Sequence, residues 1–138
     1  MTQEEKQLLL QDLCARLSHG VFCVGITYEL DDDGERYIPV KVKDTLTEIH
    51  NYKLETASVR LGLISSCKLE TVKPYLRPVS SMTEEEEEEL IKNFWGSHTT
   101  KDTFEELSWY LSKHLDINGL IPKGLAIKVT EENNLYKE

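Results

Sequence analysis

The chain has 138 residues, 39% of them hydrophobic and 30% charged, a balance that suits one globular domain and excludes a wholly disordered chain. No apolar run approaches the roughly 18 residues of a membrane helix. The polar, acidic start from Met1 to Lys6 is unlike a signal peptide, so a soluble cytoplasmic protein with no membrane partner is expected.

The net charge is −9, yet without Glu84–Glu89 the 25 acids become 19 against 16 bases and the excess falls to −3. The acidity is thus largely one local run, and nothing suggests a basic protein seeking nucleic acid.

Thr2 stands three residues before Glu5, the spacing of a reciprocal helix cap. Leu9, Leu10, Leu13, Cys14 and Leu17 follow on one arc, with Gln11, Asp12 and Arg16 turned away from it. Gly20 suits the left-handed stop. The period then changes: Phe22, Val24, Ile26, Tyr28 and Leu30 alternate with Cys23, Gly25, Thr27 and Glu29, predicting a strand with one apolar face. Asp31-Asp32-Asp33-Gly34 is turn chemistry, and Ile38, Val40 and Val42 alternate again, completing an antiparallel hairpin. Pro39 cannot donate to a ladder, which puts it on an edge or at a bulge.

Ala57 to Leu63 supports another strand, with Gly62 weakening it or marking a close approach. The two prolines of Lys73-Pro74-Tyr75-Leu76-Arg77-Pro78 hold that segment extended. Thr83 caps a second helix to Trp95 with Glu86 as its reciprocal partner. Leu90, Ile91, Phe94 and Trp95 form its apolar arc, and six successive glutamates form its start, three of them in the turn where the dipole favours negative charge. Gly96 to Lys101 is a predicted loop. Asp102 or Thr103 then caps a third helix whose arc is Phe104, Leu107, Leu111 and Leu115. Asn118 to Val129 alternates weakly, as a returning strand would. The expected architecture is a single α+β domain over 1–138: an N-terminal helix, a small antiparallel sheet of three to four strands, and two C-terminal helices, with 130–138 a frayed tail.

Little in the sequence marks chemistry. Cys14, Cys23 and Cys67 are odd in number and read as buried free thiols, not disulfides. Glu29, Asp31, Asp33 and Gly34 match the start of a calcium loop, but its twelfth position is Val40, so the segment reads as a hairpin turn. His19, His50, His98 and His114 lack ligand spacing. His114, near the end of the third helix, would favour the dipole if protonated. Ser65-Ser66-Cys67 offers a nucleophile with no base marked for it. No phosphate-binding or nucleophile-elbow motif is present. No catalytic, cofactor-binding or metal-binding residue is therefore assigned, and no cofactor is expected.

Two features point to binding. Lys73, Tyr75 and Arg77 would share one side of an extended chain, with Leu76 on the other. Trp109 points opposite the apolar arc of its helix, so it either packs on a second element or anchors a partner. These four residues form the candidate interaction surface.

Three stretches, Asp12-Leu13-Cys14-Ala15-Arg16-Leu17, Lys73 to Pro78 running into Ser80-Ser81-Met82-Thr83-Glu84-Glu85, and Gly119 to Ala126, resemble a family of small uncharacterised proteins of gut anaerobes and their phages or mobile elements. The resemblance implies a bacterial cytoplasmic or prophage-like setting and carries no catalytic residues. The expected function is that of a non-enzymatic accessory protein binding another protein. The alternative is a small single-stranded nucleic-acid-binding module using the 73–77 segment.

Overall fold

The computed structural model describes residues 1–50, 53, 54, 56–94 and 100–136, with 100–102 described by backbone alone. Thr2 caps α1 (Gln3–Arg16) reciprocally: the Glu5 amide donates to Thr2 Oγ1 at 3.0 Å and the Thr2 amide to Glu5 Oε1 at 2.9 Å. The helix buries Leu9, Asp12, Leu13 and Arg16, while Cys14 is exposed. The expected arc had Cys14 inside and Asp12 and Arg16 outside. Leu9, Asp12, Leu13 and Arg16 follow i, i+3, i+4 and i+7, with Leu10 buried beside them, and the two charged members neutralise each other.

The fold is α+β, with six strands among the described residues: β1 (Phe22–Leu30), β2 (Tyr37–His50), β3 (Ser58–Leu61), β4 (Ser65–Lys68), β5 (Lys73–Leu76) and β6 (Ile127–Lys128). They lie in the order β4-β3-β2-β1-β5-β6, antiparallel throughout except for the parallel β5–β6 pair. Three to four strands were expected. The additional ones are short, and β6 has two residues in place of the returning strand predicted over Asn118–Val129.

β1 and β2 form the predicted hairpin, closed by the Asp31 amide donating to the Arg36 carbonyl at 2.8 Å and by Gly34 at φ 70°. The first half of β2 pairs with β1 and the second half with β3, with a register shift between Leu46 and Glu48. The meander β2–β3–β4 turns back over β1 at this irregularity. Gly25 marks the closeness of the approach: a Cβ there would lie 2.9 Å from Cys67 Sγ. Gly62, at φ 67°, makes the β3–β4 turn beside Asp44.

The core lies on the Cys23 side of β1. Val21, Cys23, Leu46, Val59, Leu61 and Cys67 pack with Leu9 and Leu13 of α1 and with Leu120 and Leu125. Over the outer half of β1 the apolar face is not the one that is covered. Ile26, Tyr28 and Leu30 are exposed, whereas Gly25 and Thr27 on the opposite face are buried. Alternation defines two faces, but β4 and not apolarity decides which one is covered.

α2 (Glu84–Phe94) and α3 (Thr100–Ser112) add nothing to this cluster. α2 buries no residue: Leu90 and Phe94 are half-buried, Ile91 is exposed, and Trp95 lies outside the described residues. α3 begins at Thr100, so Asp102 and Thr103 lie within its first turn and not at the position before it; of the predicted loop, 96–99 fall outside the described residues. Its expected arc is split, with Leu111 and Leu115 buried and Phe104 and Leu107 exposed. The two helices are also followed by β6 and a final segment, so they do not end the chain. That segment does not fray as far as Tyr136: its hydroxyl accepts from the Phe22 amide at 2.9 Å and donates to the Tyr75 carbonyl at 2.8 Å.

A polar chain ties α1 to the later residues. Arg16 Nε donates to Asp12 Oδ2 at 2.8 Å and Arg16 Nη2 to the Leu115 carbonyl at 2.7 Å, while Asn118 Nδ2 donates to Asp12 Oδ1 at 2.8 Å. Removing one member of a buried ion pair strands the other. Arg16→Met is expected to cost about 3–5 kcal/mol in urea unfolding, and the double change Asp12→Leu with Arg16→Met to recover part of that loss.

Candidate functional site

The four sequence-predicted residues do not form one surface. Tyr75 is 3% exposed and Trp109 9%. Tyr75 lies beside Ile127 on β5, so its ring offers no face on which a base could stack. Leu76 is buried as well, because β5 runs between β1 and β6 and is covered on both faces. Arg77 is engaged by α2: its Nη2 donates to Glu86 Oε1 at 2.6 Å and its Nη1 to Glu86 Oε2 at 2.9 Å. The backbone of Arg77 is bracketed by the His114 carbonyl and the Asp116 amide, both at 2.8 Å. Only Lys73 is free at the surface.

Trp109 packs within the chain. Its Nε1–H donates to Glu89 Oε1 at 3.0 Å, Tyr110 meets it edge-on with ring centroids 5.5 Å apart, and Lys113 Nζ lies 5.7 Å from its ring centroid. These contacts give two of the six glutamates internal work. Glu86 holds Arg77 and closes the cap, accepting from the Thr83 amide at 3.0 Å, and Glu89 joins α2 to α3.

A hollow of about 830 Å³ lies among Arg77, Glu86, Lys113, His114, Thr130 and Tyr136. Both of its cations are paired, Arg77 with Glu86 and Lys113 with Glu89 at 3.8 Å, and Glu131 also lines it. His114 stacks on Tyr136 with ring centroids 3.7 Å apart and sits at φ 60°. Burial, with Arg16, His19 and Arg77 nearby, pushes its imidazole down to about 4. It is therefore neutral at pH 7, and the expected favourable charge at the helix end does not arise. Among the described residues, no three His, Cys, Asp or Glu side chains converge as metal ligands would. Cys67 and Cys23 are buried, and burial pushes both thiols up, away from the reactive thiolate.

What the structure does present is the outer half of the β1–β2 hairpin. Pairing in register places Ile26, Tyr28 and Leu30 on one face with Lys41, Pro39 and Tyr37 opposite them. Tyr28, Leu30 and Tyr37 are 56%, 54% and 70% exposed. β5 leaves β1 after the pair Val24↔Lys73, and β3 joins β2 only from Leu46 onward, so this part of the hairpin is a two-stranded ribbon beyond the rest of the sheet. Leu63 and Ile64, in the turn beside β2, are also exposed, with the Gly62 amide donating to the Thr45 carbonyl at 2.8 Å. The sequence signal for this site is the apolar alternation of Phe22–Leu30, which marks a strand with one apolar face.

Comparison with protein families, with curated proteins and with solved structures finds no match for this chain. Among the described residues no helix is long and apolar enough to cross a membrane.

His114 and Glu86 set two separate pH windows. The imidazole's folded value, about 4, is below its ordinary 6.5, so protonation favours the unfolded chain and stability falls as pH drops from 6.5 towards 4. Arg77 holds Glu86 down to about 2 against an ordinary 4.5, so its contribution, complete above 4.5, is lost from there towards 2. His114→Asn, which tolerates the left-handed backbone, is expected to flatten the first slope and Glu86→Gln the second, as read by thermal melts from pH 7 to 2.5.

Proposed function

We propose that this chain is a non-enzymatic accessory protein that binds another protein through the outer β1–β2 ribbon. The observation that carries this reading is the exposure of Ile26, Tyr28, Leu30 and Tyr37 on one face of the ribbon, a face that no element covers among the described residues. An isolated two-stranded hairpin is marginally stable in water, and one that keeps large apolar side chains in solvent is best explained by a surface that covers them. Tyrosine flanked by aliphatic residues is the composition of a contact anchor. Nucleic acid suits the ribbon less well, because its tip carries Asp31, Asp32, Asp33 and Glu35, which would repel phosphate.

The test places a photo-crosslinking phenylalanine at position 28 or 37 in the native host, with position 132 as an exposed control. One discrete protein is expected at 28 and 37 and not at 132. That protein, purified, should bind the wild type at least tenfold more tightly than Tyr28→Ser, about 1.4 kcal/mol or more, with the melting temperature unchanged. Adducts shared with position 132, or none at 28 and 37, would remove the proposal.

A further inference from the structure

We propose that the free edge of β1 at Tyr28 and Leu30 receives an extended, net-acidic segment of the partner as an added strand, with one apolar side chain seated between Lys41 and Lys73. This rests on the ribbon being the binding face and names how it binds and what chemistry it takes.

The direction of the edge follows from two hydrogen bonds. The Phe22 amide donates to the Tyr136 hydroxyl at 2.9 Å and the Ile26 amide to Thr71 Oγ1 at 3.3 Å, both away from β2. In an antiparallel ladder backbone groups alternate in direction. The N–H and C=O of Tyr28 and Leu30 therefore also point away from β2, past the end of the β5 pairing at Val24. A strand laid there can exchange hydrogen bonds with both residues, as in β-augmentation.

The opposite edge of the ribbon is defended. The Thr45 carbonyl accepts from Gly62, so Thr45, Lys43, Lys41, Pro39 and Tyr37 are the outward positions of β2. Pro39 has no N–H to give, and Lys41 and Lys43 are exposed cations. Proline and lysine are the residues that keep edges from pairing. β1 carries neither at Tyr28 or Leu30.

The charge of the occupant comes from the same face. Register puts Lys43 and Lys73 beside Val24 and Lys41 beside Ile26. All three lysines are exposed, and no ion pair holds them among the described residues. From Phe22 to Leu30 and from Tyr37 to Thr45 this face holds no carboxylate, in a chain with 25 acids and 16 bases. A hollow of about 450 Å³ opens at its lower end, with Val24, Ile26, Pro39 and Ile127 as apolar lining and Lys41 and Lys73 at its sides. That combination takes an apolar side chain from a segment whose acidic residues lie at the lysine end, beside Val24 and Ile26, and away from Asp31, Asp32 and Asp33 at the tip.

The test is selection of twelve-residue peptides from a random displayed library against the full chain. Enriched sequences are expected to be net acidic with apolar residues at alternate positions. The synthetic peptide should slow hydrogen exchange at the Tyr28 and Leu30 amides. Lys41→Glu with Lys73→Glu should weaken it at least tenfold, and so should N-methylation of the peptide's edge-facing amides, which leaves the protein untouched. No enrichment, basic sequences, or unchanged exchange at Tyr28 and Leu30 would overturn strand addition. So would a concentration-dependent dimer abolished by Tyr28→Lys, or tighter binding of an oligo-dT lost in the lysine variant. If a protein is still crosslinked at 28 and 37 in those cases, the ribbon remains a binding face and only its mode is wrong. If nothing is crosslinked either, both readings fall.

Discussion

Arg16 ends α1 with its side chain fully buried, and its guanidinium joins parts of the chain that the hydrophobic core alone does not bring together. It reaches Asp12 one turn back and the carbonyl of Leu115 far along the sequence. Asp12 in turn receives Asn118. A buried charge is costly unless neutralised and hydrogen-bonded, so this arrangement contributes less net stability than its short distances suggest. What it supplies is specificity. The observed docking of α1 gives Arg16 the Leu115 carbonyl and gives Asp12 the Asn118 amide. The segment from Leu115 to Asn118 is thereby fixed, and Asp116 there accepts from the Leu120 and Ile121 amides at 2.8 and 2.9 Å.

From that segment the constraint passes outward. Leu115 bridges Arg77, and Arg77 holds Glu86 on α2. α2 fully buries no residue of its own, and beside the half-buried Leu90 and Phe94 its polar contacts place it: Glu86 with Arg77 and Glu89 with Trp109. The run of six glutamates is thus partly explained. A helix that bonds to its neighbours through carboxylates needs them at chosen positions, here three residues apart and so on one side. The remaining glutamates of the run sustain the helix by propensity.

The elements legible in the sequence were those decided within a few residues. Both capping boxes rest on i to i+3 pairs, and both formed. The hairpin rests on adjacent alternation and turn chemistry, and Pro39 stands on the edge it implied. What could not be read was decided by distant partners. Asp12 and Arg16 look like solvent residues until Leu115 and Asn118 are placed. Tyr75 looks exposed until β6 and Tyr136 arrive more than fifty residues later. Tyr136 looks like part of a polar tail until it meets Phe22 and Tyr75. The side of β1 that is buried depends on β4 crossing over Gly25. Long-range contacts likewise bury Tyr75 and Trp109, two of the four residues of the candidate surface.

The treatment of β1's edge argues that its openness is not an accident of a short neighbouring strand. The chain satisfies the outward amides of Phe22 and Ile26 with side-chain oxygens from Tyr136 and Thr71, one brought from the far end of the sequence. Covering Tyr28 and Leu30 in the same way would need only a longer β5 or an adjacent hydroxyl. Instead those positions carry large apolar side chains, while proline and lysine occupy the other edge of the same ribbon. Solubility alone would favour charges on both edges. One edge closed and one left apolar is the asymmetry expected of a strand that pairs with something outside the chain.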